Sequence, residues 1–304
     1  MTDMADLPVQ HAQAPGSAAA ARARFFNSGN AFNIKLPAVP AADFAAQAAA
    51  AFEPSAPTGI IACDQSAAIG CAFPATSPLM LARYAVIRAG ETLALDTHAT
   101  GLIGCVLRGA GTAPGFAWGA GDIFLLPGGA QPLAATEDAV LWLVGNEPLL
   151  AFEGLREGPA PLAPVHYAAA EIERQLAIIG ACTTNAATSG LAVIFSSDGL
   201  EAWRNITPSM TLSLNTLPPG EHQRAHRHNS AAITLVLQGE HCHSMVSGEP
   251  RPWSLGNTLV TPAGDPHSHH NAGRVQARFL IVQDGGLHYH ARTMGFEFLE
   301  AAPG

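Results

Sequence analysis

The chain has 304 residues, 48% of them hydrophobic and 13% charged, with a formal net charge of −9 at pH 7. That length suits two ordinary domains or one large one, each able to bury a core. An acidic chain with no Lys/Arg run lacks the electrostatic footprint of a protein that binds nucleic acid or anionic membrane. With one lysine, Lys35, a phosphate-binding P-loop or a lysine Schiff base has almost nothing to work with. No uninterrupted apolar stretch reaches the ~18 residues of a transmembrane helix. The acidic start Met1-Thr2-Asp3-Met4-Ala5-Asp6 is unlike a signal peptide. Five scattered cysteines without a Cys-x-x-Cys disfavour a disulfide framework or a cysteine zinc site. The cytoplasm is therefore the expected compartment.

In chain order, residues 1–24 have no hydrophobic period and read as a loosely attached arm. Residues 41–52 are Ala-rich and favour a short helix. From about 75 to 150, β-type runs at 81–87, 104–107, 123–126 and 140–144 are separated by Gly and Pro punctuation. That is the rhythm of a sandwich or barrel, not of alternating β/α units. A Pro-rich connector at 147–168 leads into a helix at about 168–179, and a second β-rich block runs from about 191 to 300. The blocks share landmarks: Gly90 and Gly220, Gly109 and Gly239, Gly129 and Gly264. Spacings of about 130 residues throughout point to an internal duplication, two similar domains in tandem. The expected layout is an arm with a short helix at 1–57, a first barrel at 58–150, a helical linker at 151–190 and a second barrel at 191–304.

Ten of the 13 histidines lie between residues 222 and 290. His226 and His228 are two apart, so on an extended strand both rings face the same side, with Cβ atoms about 6–7 Å apart. Such a pair can converge on one ion, although an isolated pair is also what a polar surface strand carries. The second cluster, Pro262-Ala263-Gly264-Asp265-Pro266-His267-Ser268-His269-His270-Asn271, can supply a third ligand.

These two segments resemble the cupin motifs, Gly-x5-His-x-His-x3–4-Glu-x6-Gly and Gly-x5-Pro-x-Gly-x2-His-x3-Asn. The first runs through Gly220, His226, His228 and Gly239; the second through Gly256, Pro262, Gly264, His267 and Asn271. The duplicated pattern resembles a bicupin, an all-β chain of two tandem jelly-roll barrels. Two departures stand out. Ala232 and Ile233 occupy the place of the motif glutamate. In the first copy Asp96, His98, Leu102 and Pro132 stand where the two histidines, the glutamate and the third histidine belong, so that barrel is expected to be metal-free.

The His-x-His pattern without a glutamate is similar to the gentisate and salicylate ring-cleaving dioxygenases. That resemblance implies one Fe(II) per chain on His226, His228 and His267, with Zn, Mn or Ni as alternatives. It also implies O2 and an aromatic carboxylic acid as substrates, and assembly into a homo-oligomer. His269, which shares strand parity with His267, is the acid/base candidate and the rival third ligand. Arg224, which shares parity with His226, and Asn271 are the candidate substrate contacts. Arg227 has outward parity. A non-redox isomerase, lyase or hydrolase using a Lewis-acid metal, or a ligand-binding bicupin without turnover, remains open. The sequence leaves His241, His243, His288 and His290 without a role.

Overall fold

Short β-forming runs separated by left-handed turns fold into antiparallel sheets, as the punctuation predicts. The computed structural model describes residues 2–31, 34–156, 162–183 and 190–301, so parts of the expected linker lie outside the described residues. By internal contacts the chain forms two units, Met1–Ala38 and Val39–Gly304. In the first, Gln10–His11 pairs antiparallel with Arg24–Phe25.

Helix α1 (Ala45–Phe52) opens the second unit, with Ala48 and Ala51 buried. The first sheet comprises β1 (Gly59–Ala62), β2 (Leu81–Ile87), β3 (Thr92–Arg108), β4 (Ala110–Ala113), β5 (Phe116–Gly119), β6 (Ile123–Ala135) and β7 (Ala139–Gly145). These seven strands lie in the order β1-β2-β7-β3-β6-β4-β5, and after helix α2 (Glu147–Glu153) strand β8 (Val165–Tyr167) pairs with β6 off that path as the eighth. Helix α3 (Ala169–Gly180) then leads to the second block.

That block is two five-stranded sheets. One contains β9 (Leu191–Phe195), β10 (Thr211–Leu217), β12 (Ala232–Gln238), β15 (Thr258–Thr261) and β17 (Ala277–Gln283), in the order β9-β10-β17-β12-β15. The other contains β11 (His222–His228), β13 (Cys242–Val246), β14 (Glu249–Pro252), β16 (His267–Asn271) and β18 (Phe296–Phe298), in the order β14-β13-β16-β11-β18. A seven-residue helix α4 (Gly285–Ala291) sits between β17 and β18. The fold is all-β: two antiparallel β-rich blocks in tandem. Among the described residues no helix is long and apolar enough to cross a membrane.

The repeated glycines mark the same backbone turns in both barrels. Gly129 and Gly264 have φ of 88° and 81°, a region where a Cβ is strained.

Three buried clusters explain the hydrophobic runs, one of them formed by Leu217, Val236, Trp253, Leu259 and Phe279 in the second block. Leu95, Leu102, Phe124, Leu126, Leu133, Leu141 and Leu143 fill the first barrel. The third cluster is continuous across both blocks and includes Ile103, Trp142, Leu212, Leu235 and Leu280. Strand β7 is buried at every residue because it is covered on both faces, so it reads as an unbroken apolar run rather than an alternating one. Hydrogen bonds register the two blocks: Tyr84 Oη donates to the Gly256 carbonyl at 2.6 Å, and Trp142 Nε1 donates to Thr258 Oγ1 at 2.9 Å. The segment before α1 also joins the second block, Phe44 N donating to Thr258 O and Val260 N to Ala42 O.

Candidate metal centre

Strands β11 and β16 lie side by side, and three of their histidines converge. The ring nitrogens that His226, His228 and His267 offer lie within 4.8 Å of one another, and all three residues are buried. His267 is central, its ring centroid 4.2 Å from that of His226 and 4.7 Å from that of His228.

Local backbone fixes the tautomer of each ring. His226 Nδ1 lies 2.7 Å from the Arg224 carbonyl, His228 Nδ1 lies 2.8 Å from that of Ser230, and His267 Nδ1 lies 2.9 Å from that of Asp265. A carbonyl only accepts, so each Nδ1 carries the proton and donates it. Each Nε2 therefore keeps its lone pair. This is the donor arrangement that orients imidazole ligands toward a metal.

Electrostatics keep the rings neutral. Burial, reinforced by the neighbouring imidazoles, pushes His267 down to about 3. Burial likewise pushes His228 down to about 4 and lowers His226. Three neutral nitrogens of borderline softness, with no carboxylate, suit a divalent first-row transition metal.

His269 behaves differently. It is 3% exposed, and its Nδ1 lies 2.8 Å from Ser244 Oγ, which accepts from Trp253 Nε1 at 2.9 Å. No other acceptor for the Ser244 hydroxyl is in reach among the described residues, so that hydroxyl donates to His269 Nδ1. His269 thus holds its proton on Nε2, the opposite tautomer from the other three. It lies outside the converging group, and burial holds its basicity well below the ordinary value.

The three rings open on a cavity of about 550 Å³ between the two sheets of the second barrel. Asn215, Thr234, Thr261, Ile281 and Gln283 line it from one sheet; Gln223, His269 and Phe296 line it from the other. Among the described residues no Asp or Glu lines it, and Arg204 is its one guanidinium. Arg204 follows the turn after residues 198–200, in a left-handed conformation at φ 56°. Trp203, Tyr289, Met294 and Phe296 complete the mouth. Phe296 on β18 stacks on His226 at 5.2 Å, shielding it from water.

Two expectations need correction. Arg224 does not line the cavity; its guanidinium sits 3.6 Å over the Phe298 ring. The cause is a bulge. Strand β11 pairs Gln223 with His269 and His226 with His267, three residues against two. The extra residue reverses parity upstream of His226, so Gln223 takes the inward position. Asn271 is equally absent from the cavity. Its Nδ2 donates to the carbonyls of Leu217 and Val275, and its Oδ1 accepts from Gly273 N, a set of bonds that ties the barrel turns together. Arg227 faces outward as its parity implies, 2.6 Å from Glu297.

Of the remaining histidines, His243 stacks on His270, which stacks on His222, at 4.7 Å and 5.3 Å. These three form a row across one sheet and do not line the cavity. His241 is exposed at a left-handed turn. His288 and His290 are on α4, His288 Nδ1 lying 3.0 Å from Asn229 Nδ2 and His290 beside Trp203.

In the first barrel, Asp96, His98 and Pro132 are exposed while their neighbours Leu95, Thr97 and Leu133 are buried. The core beneath these positions is built mainly of Leu95, Leu102, Leu126 and Leu133. Elemental analysis is therefore expected to find one divalent ion per chain; two tightly held ions would overturn that expectation.

Comparison with known proteins agrees with this geometry. Residues 213–283 match the cupin domain family. Gentisate 1,2-dioxygenase of Ralstonia sp is 34% identical over 92 residues, 30% of this chain and 26% of that protein. 1-Hydroxy-2-naphthoate 1,2-dioxygenase of Nocardioides sp. is 30% identical over 95 residues, 31% of this chain and 24% of that protein. The matched stretch thus spans about a quarter of the length of these relatives. Salicylate 1,2-dioxygenase of Pseudoaminobacter salicylatoxidans with gentisate superposes at a TM-score of 0.70 with 15% identity, covering 88% of this chain and 86% of that one. The cupin match is thus confined to the second block, where the sequence is similar to the gentisate 1,2-dioxygenases, while the fold is similar to that of salicylate 1,2-dioxygenase.

Proposed function

We propose that the protein is an Fe(II)-dependent dioxygenase that cleaves the ring of a hydroxylated aromatic acid of the gentisate or salicylate kind. One observation carries the reading: three imidazoles of fixed Nδ1–H tautomer converge beside a cavity that, among the described residues, no carboxylate lines. His226, His228 and His267 hold the ion. An iron ion held by these three residues would supply the redox chemistry that couples an ortho-hydroxy acid to O2.

The chain's own groups do the rest. Neutral ligands leave the charge of the ion unbalanced, so the site favours an anionic chelator over a neutral one. Arg204 draws the acid in at the mouth, its planar fork matching a carboxylate. Phe296, Trp203 and Tyr289 pack on the ring and exclude water from the reacting face. His269, its Nδ1 held by Ser244, presents an Nε2–H that donates to an anionic oxygen of the substrate and can return a proton to it.

The test is an oxygen-electrode screen of hydroxylated aromatic acids with anaerobically iron-loaded protein. Uptake is expected only with an acid bearing a free ortho hydroxyl, both atoms of O2 entering the product, and methylation of that hydroxyl should abolish turnover. No uptake across the panel, with activity of a zinc- or manganese-loaded form on another substrate, would overturn the reading in favour of non-redox chemistry.

A further inference from the structure

The cupin pattern places a glutamate at the position that Ala232 occupies here, and Ala232 cannot reach an ion. The neighbouring strand fills the gap. Strand β17 pairs with β12 so that Gln283 lies opposite Ala232, and Gln283 lines the same cavity as the three histidines. Its Nε2 is 3.3 Å from His228 Nε2, the nitrogen that faces the convergence point.

The direction of the amide is set by a closed ring of hydrogen bonds. His228 Nδ1–H donates to the Ser230 carbonyl at 2.8 Å and lies 3.1 Å from Ser230 Oγ. The Ser230 hydroxyl is thereby left to donate to Gln283 Oε1 at 3.0 Å. With Oε1 taken, the amide NH2 faces His228 Nε2 and the cavity. The reversed amide would set a carbonyl oxygen against the Nε2 lone pair and leave the Ser230 hydroxyl without an acceptor, two repulsive or unsatisfied contacts in a buried place.

We infer that Gln283 is a ligand-orienting donor: its amide hydrogen-bonds an anionic ligand atom bound beside His228, on the side where a cupin glutamate would have stood. A carboxylate there would neutralise part of the ion's charge and repel an incoming anion. An uncharged donor does neither. The exchange of a carboxylate for an amide thus converts an acceptor that competes with anionic ligands into a group that recruits them. This rests on the three-histidine metal site and is independent of ring cleavage.

The test uses cobalt(II)-loaded protein, titrated with azide and separately with imidazole, both followed by the visible spectrum, with no aromatic acid or O2 present. Losing one hydrogen bond to a charged acceptor, Q283L should bind azide about tenfold to a hundredfold more weakly. Imidazole, which coordinates through its lone pair and offers this amide no acceptor, should bind Q283L as it binds the parent. Cobalt affinity should be unchanged in Q283L, and Q283E should weaken azide further still. Equal azide affinity in Q283L and the parent, or a parallel loss of imidazole binding, would overturn the proposal. So would a large fall of cobalt affinity in Q283L, which would make Gln283 a ligand through Oε1. Failure of the parent protein to take up cobalt would overturn the metal reading and this proposal together. Azide behaving as expected while no aromatic acid supports O2 uptake would sustain the proposal and refute only the dioxygenase reading.

Discussion

Alanine in place of His226, His228 or His267 is expected to empty the metal site, while alanine in place of His269 leaves it loaded. Each of the three supplies one of only three converging nitrogens, and among the described residues no carboxylate lines the cavity to replace a lost ligand. Removing groups that merely support ligands costs about 10–100-fold in metal affinity, so losing a ligand should exceed about a hundredfold. The fold should survive, because the cores of Leu102, Leu133, Trp142 and Leu280 do not involve these rings. His269→Ala should retain the ion and instead lose turnover of the substrate. Elemental analysis with circular dichroism separates the cases. An empty site in His269→Ala with a loaded one in His267→Ala would make His269 the third ligand and refute the present assignment.

Asp284→Asn is expected to change how stability depends on pH. Burial raises the Asp284 carboxyl to about 7, against an ordinary value of 3.8. The Ala231 amide, which donates to it at 2.8 Å, offsets only part of that cost. The folded protein therefore holds a proton that the unfolded chain has already released, and stability must fall as pH rises from about 4 to about 7. A shift of about three units corresponds to something on the order of 4 kcal/mol. Asparagine keeps the acceptor for Ala231 and cannot ionise. Relative to the parent, the variant should gain stability between about pH 4 and about pH 7 and level off above that, whatever constant offset its extra amide introduces. Denaturant unfolding at several pH values reads this directly. Parallel curves for the two proteins would show that Asp284 is not buried as a neutral acid.

The local signals were legible because each is a short-range property. Strand β2 at Leu81–Ile87 and helix α3 at Ala169–Gly180 fall where the apolar runs and turn residues put them. The converging triad was legible because His226 and His228 share a strand face by parity, and the motif spacing supplied His267. The helix expected at 41–52 is also present, as Ala45–Phe52. Its preceding residues pair with Thr258 and Val260, a long-range contact of which no local pattern gives notice.

Periodicity and motif spacing encode directly the all-β class, the three converging histidines and the missing glutamate. Which other groups share the cavity is fixed only once distant strands are in register. Parity is a reliable guide only along an unbroken ladder, and the bulge between Gln223 and His226 turned Arg224 out and Gln223 in. The same limit applies to the first barrel, where Asp96 and His98 match the ligand spacing yet are exposed beside buried Leu95 and Thr97. Arg204 reaches the cavity from a left-handed turn, and Gln283 from a strand paired with Ala232 about fifty residues away in the chain. Such placements depend on register between distant strands, and register is set by the packing of whole sheet faces rather than by any neighbouring residue.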